Sequence, residues 1–214
     1  MESRFVGRTP SVAAMIALLL GLCFGNVANS AYAQQDVTTL RTLFAQAPTR
    51  EDSLLLRYRL FALTREHAVL AEIPTSLDTA TARELALLSA LWGYRIRDVG
   101  PIQFYVYGRR TMSLLQQALE QDADDPLVTL IDAQSLLFRP RIAGGDKAKA
   151  LERLRALTGR MDGRHACGVD PLEAEVWFWY ALHKTESAEA DTLRTRLLAG
   201  QLPSLYREFL DDPP

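Results

Sequence analysis

From Gln34 onward, apolar residues recur at intervals of three and four along almost the whole chain. That is the period of helices that bury one face. No stretch holds the strict apolar/polar alternation of a half-buried strand, and glycine and proline fall between the periodic segments. The pattern predicts a succession of helices. "DVTTLRTLFAQA" opens on Asp36 as a cap. "REDSLLLRYRLFALTREHAVL" runs from about Arg50 to Leu70. "DTATARELALLSALWGYRIRD" spans about Thr79 to Arg97. The next helix starts at Pro101, a favoured first helical residue, and ends near Gln121. Asp125-Pro126 and Asp170-Pro171 are repeated start signals, Asp146 is an N-cap for "KAKALERLRAL", and Gly200 sits where a helix would stop. A short helix in "LPSLYREFL" and the tail "DDPP" complete the chain.

The first segment has another pattern. Arg4 and Arg8 precede an unbroken apolar run from Val12 to Phe24, and Ala31 and Ala33 then form a small-x-small pair before Gln34. Charged start, short apolar centre and A-x-A site describe a secretory signal peptide, with cleavage after Ala33. The run is too short for a spanning helix, which needs about 20 apolar residues. Residues 1–33 are therefore expected to be a leader, 34–78 a set of N-terminal helices, and 79–214 the main helical body. The expected address is periplasmic or extracellular by the general secretion route, with no transmembrane segment in the mature chain.

Composition narrows the chemistry. The formal charge of −2 lacks the basic excess of a nucleic-acid binder. Only Cys167 remains past the leader, so no internal disulfide is available, and His165 beside it makes two ligands at most, too few for a metal site. No catalytic triad can be assembled from His67, His165 and His183, and no H-E-x-x-H motif occurs. Glu173 and Glu175 read as favourable charges in the first turn of a helix. "GGDK" at Gly144–Lys147 has adjacent glycines, no preceding strand and an aspartate that repels phosphate, so it reads as a turn and cap rather than a nucleotide loop. No catalytic, cofactor-binding or metal residues are expected.

Two aromatic stretches leave a choice open. "VWFWYAL" (Val176–Leu182) and "FYVYGRR" (Phe104–Arg110) are each either a helix buried between neighbours or a surface that docks a partner, and Gly108 would permit a close helix contact. Charge is also uneven: Arg139–Arg164 holds eight basic residues against three acids, and Asp170–Asp212 holds nine acids against four bases. Opposite signs in successive segments can attract one another, or the basic stretch can meet an acidic partner or an anionic membrane surface.

"QALEQDADDP" (Gln117–Pro126) resembles the end of a tetratricopeptide repeat, with Ala118 at the small position of the second helix and Ala123 where that family has proline. In "SALWGYRI", "TLIDAQSLL" and "EVWFWYAL", Trp92-Gly93, Ala133 and Trp177 with Ala181 match first-helix positions. In "KALERLRAL", Ala150, Leu154 and Leu157 match the second helix. Gly93 aligns with Thr111 and Ala133 with Ala150. Both hairpins carry lengthened turns, "RDVGPI" and "RPRIAGG".

The resemblance implies an all-α, short α-solenoid of about three antiparallel helical hairpins with extra N-terminal helices. It further implies a non-catalytic scaffold of the cell envelope that takes a peptide or protein in a groove lined by the first helices. Carried across residue by residue, the groove would be Tyr94, Arg97, Leu130, Gln134, Phe138, Glu175 and Phe178. The alternatives are a helical small-ligand carrier, an enzyme with an unrecognised site, or a structural subunit of an envelope complex.

Overall fold

The computed structural model describes residues 24–96, 99–161, 166 and 168–214. Among them, ten α-helices follow one another: α1 (Phe24–Ala33), α2 (Val37–Ala45), α3 (Arg50–Thr64), α4 (Ala82–Arg95), α5 (Pro101–Asp122), α6 (Pro126–Phe138), α7 (Lys147–Met161), α8 (Pro171–Lys184), α9 (Glu189–Ala199) and α10 (Ser204–Asp211). Short 3₁₀ turns occupy His67–Leu70 and Arg141–Ala143, and no strand occurs among the described residues. The all-α expectation holds.

The helix starts follow from local chemistry. A carboxylate or hydroxyl that accepts a hydrogen bond from an otherwise unpaired N–H fixes the first turn. Asp36 accepts from Thr39 N, Asp146 from Lys149 N, Asp170 from Leu172 N, and Asp125 from both Leu127 N and Val128 N. At α4, Thr81 and Glu84 cap each other reciprocally, a capping box.

Glu84 also receives two hydrogen bonds from Arg50, each 2.7 Å. Those bonds, opposed by burial and aided by the Thr81 backbone, hold the Glu84 carboxyl below the ordinary value of 4.5. A carboxyl with a depressed folded value adds stability above its unfolded value and loses it as pH falls through the folded one. Glu84→Gln is therefore expected to lower stability by roughly 1–2 kcal/mol at neutral pH, the exposed Arg50 keeping it at the low end. The difference from wild type should shrink below about pH 4.5, as urea melts across pH will show.

The helix expected over Arg50–Leu70 is two elements. It stops at Thr64 because Arg65 adopts a left-handed conformation (φ 56°), its N–H returning to the Phe61 carbonyl. A non-glycine residue supplies this stop, so no glycine marks it in the sequence. A second difference concerns the leader: residues 24–33, expected to fall within it, form α1 and pack against α2, α3 and α10.

Successive helices pair as hairpins, α4 with α5 and α6 with α7, and α4, α6 and α8 also touch in series. Small residues lie in these contacts. Ala118, Ala133, Ala150 and Ala181 are buried. A Cβ on Gly93 would sit 3.8 Å from Thr111 Cγ2, and Ser89 donates to the Thr111 carbonyl at 2.8 Å. Gly108, by contrast, faces open space, so it does not serve a close helix contact.

Among the described residues tetratricopeptide units do not recur, and some contacts join helices far apart in the series. In a solenoid each repeat touches only its neighbours. Here Arg59 on α3 grips Glu173 on α8 across 114 residues, Tyr58 on α3 reaches Gln134 on α6, and α10 returns to α1. The two ends of the helical series meet.

Candidate interaction surfaces

Three of the seven groove residues are drawn into the body, Tyr94 and Gln134 of them against Tyr58 of α3. Leu130 is wholly inside the core. Gln134 is almost buried, and its side-chain carbonyl accepts from the Tyr58 hydroxyl at 2.7 Å. Tyr94 stacks on Tyr58 with ring centres 5.7 Å apart and tilts against Phe61 at 4.7 Å. The resemblance thus brought Tyr94 and Gln134 to one place, but α3 fills it. Burial pushes the Tyr58 and Tyr94 hydroxyls above the usual phenol range, so both stay protonated at neutral pH. Leu130 and Gln134 offer no surface to an arriving partner, which corrects that part of the groove. Arg97 lies outside the described residues, as do His165 and Cys167.

The other three reach the surface. Phe138 is 54% exposed and packs its ring against Trp177 and Tyr180, with centres 5.9 and 5.8 Å apart. Phe178 is half-buried beneath the Arg155 guanidinium, 5.4 Å from its ring centre. Glu175 pairs with Arg196 at 3.3 Å.

Glu173 stands in the first turn of α8, as its position suggests, and it is buried. Both of its carboxylate oxygens accept from Arg59, at 2.5 and 2.6 Å, and Arg59 also donates to the Gly168 carbonyl at 3.2 Å. Both side chains are essentially excluded from solvent. Burial works against the Arg59 charge, but the Glu173 carboxylate outweighs it by charge and hydrogen bonding and holds the guanidinium protonated beyond its ordinary range. Tyr32 on α1 lies over the same guanidinium at 4.5 Å. A signal existed in the sequence: Arg59 stands three and four residues from Leu56, Leu55 and Leu63, on the apolar stripe of its helix.

The two aromatic stretches resolve in opposite ways. In α8, Val176, Trp179, Tyr180 and Leu182 are buried while Trp177 and Phe178 are half-buried, so most of "VWFWYAL" is core. In α5 the first turns overhang the body. Ile102 is 78% and Tyr105 63% exposed, with Phe104 and Val106 also outside. Ile102, Tyr105, Val106 and Arg109 are spaced i, i+3, i+4, i+7, which places them on one helix face. Met112 follows, touched by the Arg139 guanidinium. That contact sets the turn after α6 beside the middle of α5, and Ile142 in that turn is 98% exposed. Arg141, Lys147 and Lys149 are exposed around it, and α5 carries no acid before Glu120. The result is an apolar ridge with basic flanks.

Three further residues of the basic stretch are tied to the body, and Arg164 lies outside the described residues. Arg153 pairs with Asp132, Arg160 with Asp124 and Arg155 with Glu189. Only the last of these joins it to the acidic stretch that follows.

Among the described residues no group of three histidine, cysteine, aspartate or glutamate side chains is placed to hold a metal ion, and no described helix is long and apolar enough to cross a membrane. Compared with protein-family models, curated proteins and solved structures, the chain matches none.

Proposed function

We propose that this is an exported, non-catalytic interaction protein of the cell envelope, cut from its leader after Ala33, that meets a protein partner through the ridge of α5 and the turn after α6. The observation that supports this best is the exposure of Ile102, Tyr105, Val106 and Ile142. Large apolar side chains gathered on one surface and rimmed by charge mark a contact site rather than a random surface. The basic flanks favour a partner that presents acidic groups around an apolar centre.

A photo-reactive residue placed at Tyr105 is expected to form a protein adduct in cells. One placed at Gln116, farther along the same helix, is not. Ile102→Ser with Val106→Ser should reduce that adduct about tenfold, the effect of losing roughly 1.4 kcal/mol of contact, while leaving the melting curve within about 0.5 kcal/mol, because both side chains are already in water. Equal adducts from Tyr105 and Gln116 would defeat this reading.

A further inference from the structure

Helix α1 is seated in the fold and yet fits it poorly. Its buried residues, Gly25, Ala28, Asn29, Ala31 and Ala33, are small. Ala28 and Ala31 lie against Leu40, Leu43, Leu56 and Leu60 of α2 and α3, while α10 closes the other side. The apolar half of the seam is complete, but the polar half is not. Of the seven buried side-chain polar atoms that lack a hydrogen-bond partner among the described residues, four lie along this seam: both amide atoms of Asn29, Nε of Arg59 and the hydroxyl of Tyr206. Buried polar groups are normally paired, and each exception carries a penalty. Beside Asn29 a recess of about 290 Å³ opens between Ser30, Gln34, Asp170 and Pro203.

On the proposed reading, the same ten residues end the leader. The A-x-A pair that should be cut is Ala31 and Ala33, and both are buried in α1. On the proposed reading, a cut after Ala33 detaches α1 from the chain that carries α2, α3 and α10.

We propose that α1 is a temporary occupant of a peptide-binding trough, and that the processed protein uses this trough to take a helical segment of its partner. The segment would carry small apolar residues on one face and an aromatic side chain to lie over Arg59. The proposal rests on the reading of the protein as an exported interaction partner. The chemistry of the occupant is read from what sits there now: alanines and glycine let the helix approach the leucines closely, and the Tyr32 ring covers the guanidinium at 4.5 Å. Laying a helix into an apolar groove is an established mode of peptide recognition. An occupant with a better-placed polar residue than Asn29 would pair the Tyr206 hydroxyl and Arg59 Nε, and would bind more tightly than α1 itself.

The test uses the protein purified from the envelope of an exporting cell, with its N-terminus read by mass spectrometry. It is titrated with the blocked peptide FGNVANSAYA, residues 24–33, and binding is followed by amide chemical shifts. The expected result is a protein that starts at Gln34, remains folded, and binds the peptide saturably at the resonances of α2, α3 and α10. Tyr32→Ala in the peptide should weaken binding about tenfold, the worth of a desolvated cation–π contact, and Ala28→Leu should abolish it by steric conflict. A purified protein that still carries residues 24–33, one that is unfolded without them, or one that ignores the peptide at millimolar concentration would each overturn the proposal. The ridge is separate: Ile102→Ser with Val106→Ser should leave peptide affinity unchanged, so failure at the trough and failure at the ridge can be told apart.

Discussion

Replacing Arg59 with methionine is expected to lower the stability of the full chain by about 3–5 kcal/mol, the cost of leaving one partner of a buried ion pair without the other. The size follows from the geometry. Glu173 receives two hydrogen bonds from this one guanidinium, and both side chains are shut off from solvent. With Arg59 gone, the carboxylate keeps its desolvation penalty and loses its compensation. A domain of this size typically has 5–15 kcal/mol in total, so the variant should sit near the edge of folding. The double variant Arg59→Met, Glu173→Leu should regain most of the loss, because two apolar side chains of similar volume need no pairing. Urea denaturation followed by helical circular dichroism measures both. A single variant that loses less than about 1 kcal/mol, or a double variant no better than the single, would show that the pair does not tie α3 to α8 in this way. The same substitution in the processed protein should cost less than in the full chain, because removing α1 opens one side of the guanidinium to water.

This pair joins residues far apart in the chain, and that separation divides what the sequence makes legible from what it does not. Local chemistry is legible. The aspartates before α2, α6, α7 and α8 all accept from backbone N–H groups as their positions suggest, and Gly93 meets Thr111 across the α4–α5 hairpin. These events depend on residues close in sequence or on the contact of consecutive helices. The stop at Arg65 is not legible, because a left-handed arginine has no compositional mark. Closure of the series is not legible either. Neighbour-by-neighbour stacking predicts a groove through Tyr94, Leu130 and Gln134, and nothing in the spacing says that α3 will turn Tyr58 and Arg59 into that space. The single hint was an arginine on an apolar stripe and a glutamate at the head of a helix apolar on all sides. Either alone is ordinary. Their complementarity becomes visible only when the residues are placed together.

Gly144 and Gly145 look interchangeable in the sequence, and the structure separates them. Gly144 has φ 85° and ends the 3₁₀ turn Arg141–Ala143, with open space where a Cβ would point. Gly144→Ala is therefore expected to lose about 1–2 kcal/mol, the price of a left-handed conformation for an L-residue. Gly145 has no such φ, yet a Cβ there would lie 1.8 Å from the Arg139 carbonyl oxygen and 2.7 Å from its carbon. Backbone cannot yield as the tip of a side chain does. Gly145→Ala must open the turn, and with it the bonds from Gly145 N to the Pro140 carbonyl and from Asp146 N to the Leu136 carbonyl, 3.0 and 3.1 Å. The Asp146 cap of α7 moves as well. The expected loss is at the upper end of overpacking effects, about 3 kcal/mol, and larger than that of Gly144→Ala. The same turn carries Ile142 and follows Phe138, so Gly145→Ala should also weaken the adduct formed at Tyr105 if the ridge acts as one surface. Denaturation of the two variants side by side decides the ranking. A greater loss from Gly144 would mean that conformation, rather than the close approach of Gly145 to the Arg139 carbonyl, governs this turn.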